Sequence, residues 1–105
     1  MKTRAILFAA AVAAGAPLAC IAQTQDALYV RSLAANCSNC HGTNGHAVQG
    51  SPVAALAGMP RDTMLQHLRA FRDGTRPATV MHQITKGFSE PQLQQIATYF
   101  AAQRK

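Results

Sequence analysis

Apolar residues recur at helical spacing in three separate stretches of the chain. The first stretch can be capped by Thr24 or Asp26, and we expect its helix to end near Asn36, directly before two cysteines. The apolar residues that recur at helical spacing in this stretch are Ala27, Val30, Leu33 and Ala34. Loop-type residues follow from Gly42 to Pro52. The pattern predicts one helix and then a surface loop.

A second helix is predicted to begin at Pro60 and to stop at Gly74. Its apolar face consists of Met64, Leu65, Leu68 and Phe71. An extended stretch containing Pro77 then leads into Met81, where one helical turn is expected. Gly87 is predicted to end that turn in the left-handed conformation.

The last stretch carries a strong signal for the start of a helix. Ser89 is followed three residues later by Gln92, which is a capping-box pattern, and Pro91 lies in the first turn. The apolar positions that follow are Leu93, Ile96, Ala97, Phe100 and Ala101. We see no alternating apolar and polar run typical of a strand. The predicted fold class is therefore all-α, with three to four helices.

The beginning of the chain has a different composition. Lys2 and Arg4 precede an uncharged, alanine-rich run over 5–19, and small residues stand at Cys20 and Ala22. This pattern is typical of a secretory signal peptide that is cleaved after Ala22. The run is too short and too rich in alanine to favour a membrane span.

We therefore predict a signal peptide over 1–22, a single domain over 23–105, and a periplasmic location. The alternative is a lipoprotein acylated at Cys20, although Pro17 occupies the place where such signals usually have an aliphatic residue. A domain of about 83 residues buries only around 60% of its unfolded surface, so it needs additional stabilisation. A disulfide between cysteines three residues apart would constrain the chain very little.

Charge adds a limit on the possible partners. The chain of 105 residues has a formal net charge of +6, and loss of Lys2 and Arg4 reduces its ten basic residues to eight, against four acidic ones. This mild excess of positive charge argues against nucleic acid as a partner and is compatible with docking on an acidic protein surface.

The segment Cys37-Ser38-Asn39-Cys40-His41 is a C-x-x-C-H pattern, which is typical of covalent haem attachment. In this pattern both thiols bond to the haem vinyl groups, and the histidine is the proximal iron ligand. A thioredoxin-like motif would require an α/β context, and a zinc site would require two more ligands, of which His46 supplies only one. The sequence predicts one covalent haem c, held by Cys37, Cys40 and His41.

Six residues are candidates for the second axial ligand of the iron: Met59, Met64, Met81, His46, His67 and His82. We favour Met81, because it stands on a short irregular stretch, and regard His82 as its main competitor. His67 is interpreted as a surface or capping residue, and Met64 as core packing. Leu56, Leu65 and Leu68 are candidates for the haem pocket. Iron with both axial positions filled suits electron transfer, so we expect a carrier and not an enzyme.

Several segments together resemble a family. They are Cys37 to Gly42 with Thr43-Asn44-Gly45, Leu56-Ala57-Gly58, Phe71 to Gly74, and Thr79 to Ser89. They look like a class I cytochrome c, and more narrowly like the haem subunit of flavocytochrome c sulfide dehydrogenase. The resemblance implies that Met81 is the distal ligand and that the first and last helices cross near Leu33 and Phe100. It also implies a sulfide-oxidising flavoprotein subunit as electron donor and a soluble redox protein as acceptor.

Two features depart from that family. Many members have two haem domains, whereas this chain has one C-x-x-C-H pattern. The usual Gly-Pro of the loop is replaced by Gln49-Gly50, so the backbone carbonyl that orients the ring of His41 stays open.

Two other functions stay open as hypotheses. A free-standing soluble cytochrome that shuttles electrons between respiratory or photosynthetic complexes is the alternative, and a haem sensor or peroxidase-like module would require a labile distal ligand. Five basic residues are candidates for surrounding the haem edge or meeting its propionates, and ordinary solvated surface positions are an equally good interpretation: Arg61, Arg69, Arg72, Arg76 and Lys86.

Overall fold

A computed structural model describes the backbone from Leu18 to Lys105 and the side chains from Asp26 onward. The predicted signal peptide, with Cys20, lies outside the residues whose side chains are described. The elements in chain order are α1 (Leu18–His41), a 3-10 turn (Thr43–Gly45), α2 (Arg61–Arg72), α3 (Met81–Lys86) and α4 (Glu90–Ala101). No strand occurs in this part of the chain, so the predicted all-α class is confirmed. None of the described helices is long and apolar enough to cross a membrane.

The core lies where α4 packs against both α1 and α2. Leu93, Ala97 and Phe100 on α4 are completely buried, and Leu33 of α1 is part of the same cluster at 8% exposure. The contact between the first and last helices near Leu33 and Phe100 is therefore present. Burying each of the large side chains Leu33, Leu93 and Phe100 stabilises the fold by about 1.5–3 kcal/mol.

Helix α1 extends further than its sequence indicated. The predicted end near Asn36 is wrong, because the helix continues through the cysteine pair to His41. The Asn36 amide donates to the carbonyls of Ser32 and Leu33, both at 3.1 Å, so it bonds along the helix and does not interrupt it. The helix ends only at Gly42, whose φ of +83° is accessible mainly to glycine. Both cysteines consequently lie within the helix.

Helix α4 begins with the predicted capping box. The Gln92 N–H donates to the Ser89 hydroxyl, and the Ser89 N–H donates to the Gln92 side chain at 2.8 Å. The left-handed conformation predicted for Gly87 is wrong, because its φ is −76°. Its N–H donates to the carbonyl of Ile84 at 3.1 Å, so a right-handed turn leads directly into the capping residue.

An ion-pair network joins the end of α2 to the start of α4. Glu90 accepts hydrogen bonds from Arg69 and from Arg72, the latter at 2.9 Å. The Arg69 hydrogen bond, followed by those of Arg72 and Gln94, lowers the pKa of Glu90 to about 2 against an opposing desolvation effect. The network links α4 to α2, which forms one wall of the site.

Candidate haem site

One cavity of about 380 Å³ opens between the helices and the loop that precedes α2. Its lining is mainly hydrocarbon, and it draws on all four helices. The lining residues are Asn36, Cys37, Cys40, His41, Val53, Ala54, Leu56, Met59, Met64, His67, Leu68, Phe71, Arg76, Thr79, Val80, Met81, Ile84 and Ile96. The cavity thus brings the C-x-x-C-H residues of α1 together with Met81 of α3.

Both cysteines of the motif are free thiols in the last turns of α1. Cys37 is half-buried, and burial raises the pKa of its thiol to about 11, whereas Cys40 is exposed. Redox-active C-x-x-C motifs depend on a lowered thiol pKa, so the environment of Cys37 is unlike theirs. Both cysteines line the apolar cavity.

His41 is oriented by the loop that faces it. Its Nδ1–H donates to the carbonyl oxygen of Ala54 at 2.6 Å. A carbonyl can only accept, so Nδ1 is the donor in this bond, and Nε2 is the ring nitrogen left to bind a metal. Such a backbone acceptor fixes the tautomer and the ring orientation of a metal-binding histidine. The carbonyl that the sequence left open is that of Ala54.

The six candidates for the second axial ligand divide into two groups. Four of them line the cavity: Met59, Met64, Met81 and His67. The other two do not line it. A ring nitrogen of His46 lies 2.8 Å from the carbonyl oxygen of Arg104, and Nδ1 of His82 is buried without a partner among the described residues. His82, the neighbour of Met81, therefore points elsewhere.

Met81 is the first residue of α3, and a buried hydroxyl fixes this position. Thr85 is 1% exposed, and its hydroxyl donates to the Met81 carbonyl at 2.8 Å. The bond anchors the backbone from which the thioether projects. Sequence reasoning overlooked Thr85, since a threonine within a short polar segment gives no signal of burial.

The three leucines assigned to the pocket do not share one environment. Leu56 and Leu68 line the cavity, and Leu65 does not. Leu65 follows Met64 by one position, which is a rotation of about 100° around the helix, and joins the core cluster at 5% exposure. Met64 and Leu68 belong both to the core cluster and to the cavity lining, whereas Leu65 belongs to the core alone.

His67 is a lining residue that the sequence interpretation placed on the surface or in a capping role. It lies three residues after Met64 and four before Phe71, inside the i, i+3, i+4, i+7 pattern completed by Leu68. This register was the signal that could have revealed it. Among the described residues, no three His, Cys, Asp or Glu side chains form a group able to hold a metal ion.

No family model matches the chain, and similarity to individual proteins was found instead. The thiosulfate dehydrogenase electron acceptor of Thiomonas intermedia (strain K12) is 39% identical over 71 residues, covering 65% of this chain and 31% of that protein. Cytochrome c-552 of Acidithiobacillus ferridurans is 35% identical over 66 residues, covering 63% and 28%. The cytochrome subunit of sulfide dehydrogenase of Chlorobaculum tepidum is 32% identical over 68 residues, covering 65% and 60%.

Among solved structures, cytochrome c4 of Acidithiobacillus ferrooxidans superimposes with a TM-score of 0.59 and 35% sequence identity. The match covers 63% of this chain and 37% of that one. The chain has the fold of a class I cytochrome c. Its relatives include proteins named as cytochromes, which are electron carriers. The chain spans less than a third of the length of the first two relatives and 60% of the third.

The residues of this cytochrome c fold suit a haem on three counts. Two thiols with the attachment spacing adjoin the cavity, the Nε2 of His41 has no hydrogen-bond partner among residues 26–105, and three thioethers line the same space. The remaining walls are chiefly apolar, as a largely hydrophobic ring requires. A haem bound in this cavity would add apolar contacts and so compensate for the small core of the chain.

Proposed function

We propose that the chain is a periplasmic electron-transfer cytochrome with one haem c, bonded to Cys37 and Cys40 and ligated by His41 and Met81. The observation that supports this most is the single cavity that all four residues line. A haem held by His41 and Met81 would supply a one-electron couple and would leave no place for a substrate. The protein then transfers electrons without binding a substrate at the iron.

The residues of the chain have separate tasks in this proposal. The Ala54 carbonyl accepts from Nδ1 and holds the His41 ring, so that Nε2 would be the atom that binds the iron. Thr85 holds the carbonyl of Met81 at the start of α3. These two contacts hold the His41 ring and the backbone of Met81 at the cavity, where both residues would bind the iron.

We further propose that the electrons come from a dehydrogenase of inorganic sulfur compounds, specifically from a flavoprotein subunit that oxidises sulfide. Two relatives support a donor of this class, since one is named the cytochrome subunit of sulfide dehydrogenase and another a thiosulfate dehydrogenase electron acceptor. A soluble redox protein receives the electrons in turn. The alternative is a free-standing carrier, and the name of one relative, cytochrome c-552, mentions no dehydrogenase.

The test is purification of the untagged protein from the native periplasm, followed by addition of sulfide or thiosulfate. Copurification of a flavin-containing chain, together with haem reduction that depends on sulfide, would support the proposed subunit. Reduction by thiosulfate alone would identify a different donor. A haem-loaded monomer that no flavoprotein accompanies, with a reduction rate that falls as salt is added, would favour the free carrier.

A further inference from the structure

Arg76 differs from the other arginines on or near α2. Arg61 pairs with Asp62 at 3.0 Å, and both Arg69 and Arg72 pair with Glu90. No carboxylate among residues 26–105 lies within ion-pair distance of Arg76. Arg76 is also the arginine of this group that lines the cavity.

The fold holds Arg76 in place at the rim of the cavity. Its backbone N–H donates to the Ala70 carbonyl at 3.1 Å, and the Thr75 hydroxyl donates to the same carbonyl at 3.3 Å. The chain is thereby folded back on the end of α2. The guanidinium carbon lies 4.7 Å from the centre of the Phe71 ring, which also lines the cavity. Stacking on the ring orders the guanidinium and leaves its N–H edge available.

A haem c carries two propionate carboxylates, and most of this cavity is hydrocarbon. A carboxylate against apolar walls is unfavourable unless it is paired and hydrogen-bonded. Outside the C-x-x-C-H motif, the polar side chains of the lining are those of Asn36, His67, Arg76 and Thr79. Of these only arginine is permanently charged, and its fork of N–H groups matches a carboxylate.

We propose that Arg76 binds one propionate carboxylate of the haem and thereby raises the reduction potential. The inference rests on the proposed function, because it requires the haem. Ferric haem carries one more positive charge than ferrous haem, so an unpaired carboxylate nearby stabilises the ferric state. A guanidinium that neutralises this carboxylate favours the ferrous state.

The test compares Arg76→Gln with Arg61→Gln, because both remove one positive charge and only Arg76 lines the cavity. Spectroelectrochemistry of the haem-loaded variants measures the ratio of reduced to oxidised protein at a fixed applied potential. This ratio is expected to fall several-fold in R76Q and to change much less in R61Q. Equal changes in the two variants would overturn the inference, since they would reflect net charge alone.

Infrared difference spectra give a readout that separates direct contact from a distant charge. With haem labelled with ¹³C in its carboxylates, a propionate band is expected to shift in R76Q and to stay unchanged in R61Q. A shift in His67→Gln without one in R76Q would assign the carboxylate to His67 and refute the role of Arg76. If R76Q yields no haem-loaded protein, R76K replaces it in the test. Lysine keeps the positive charge and lacks the fork of guanidinium N–H groups, so the propionate band should still shift.

Failure of this inference is distinguishable from failure of the proposed function. A wild-type chain that carries no haem refutes the function and leaves no potential to measure. A haem-loaded chain whose potential and propionate bands are unaffected by R76Q refutes the role of Arg76 alone.

Discussion

Gly45 offers a sharp test of how the loop before α2 is held against the core. It is buried with φ at +81°, and its carbonyl accepts the N–H groups of Leu56 at 2.8 Å and Ala57 at 3.1 Å. A Cβ atom built on Gly45 would lie 2.7 Å from the Ala57 nitrogen, 2.9 Å from Leu56 Cβ and 2.9 Å from Phe100 Cδ1. None of these atoms is the end of a flexible side chain, so Gly45→Ala must move the loop or the core.

The size of the effect follows from a matched position. Gly50 has the same φ of +81°, and a Cβ there would meet nothing within 4 Å. Both alanine variants bear the left-handed cost of about 1–2 kcal/mol. Gly45→Ala adds an overpacking cost of about 1–3 kcal/mol. The difference between the two variants isolates the overpacking.

Denaturant unfolding of the haem-loaded protein, followed by far-ultraviolet circular dichroism, measures this difference. We expect G45A to unfold with a free energy about 1–3 kcal/mol lower than G50A. The same loop carries Ala54, the acceptor of the His41 ring, so G45A should also alter the haem spectrum. Equal stability of the two variants would show that the loop does not pack against the core as described.

Three further predictions concern the ion pair, the cap and the distal ligand. The hydrogen bond from Arg69 lowers the pKa of Glu90 to about 2, below its ordinary 4.5. The stability that this carboxylate contributes is therefore complete above the ordinary value and lost as the pH falls toward 2. In a pH series of unfolding, wild type should lose stability relative to E90Q over that range, and parallel curves would contradict the prediction. Ser89→Ala removes the capping hydroxyl and should lower the unfolding free energy by about 1 kcal/mol, with S89T retaining most of it; no change in denaturant midpoint would argue against the cap. Met81→Ala should allow rapid carbon monoxide binding to the reduced haem, and Met64→Leu should not; flash photolysis giving the reverse order would assign the ligand to Met64.

Structural features that are set by residues close together in the chain could be predicted from the sequence. The capping box of Ser89 and Gln92 needs only its own four residues, and it is present as predicted. The length of α1 was not readable in the same way. Asn36 is a common helix-ending residue, but here its side chain bonds to the carbonyls of its own helix, and the end is set by Gly42.

The candidate site shows the same limit of prediction from the sequence. The C-x-x-C-H motif carries its chemistry in side-chain types, so its residues were identifiable without coordinates. The acceptor of the His41 ring is a backbone carbonyl of Ala54, and such a group leaves no mark in the sequence. The split of α2 between Leu65 in the core and His67 in the cavity depends on how the helix is rotated. That rotation is decided by tertiary packing and not by local pattern.

The most direct test of the central proposal is the intact mass of the protein after acid denaturation and solvent extraction. The chain should be produced in cells that export it and attach haem to exported proteins. We predict that the wild type keeps the mass of one haem, and that a variant with both Cys37→Ala and Cys40→Ala releases any haem it holds. A wild-type chain that is extracted without haem, or a double variant that retains it, would contradict covalent attachment at these two residues.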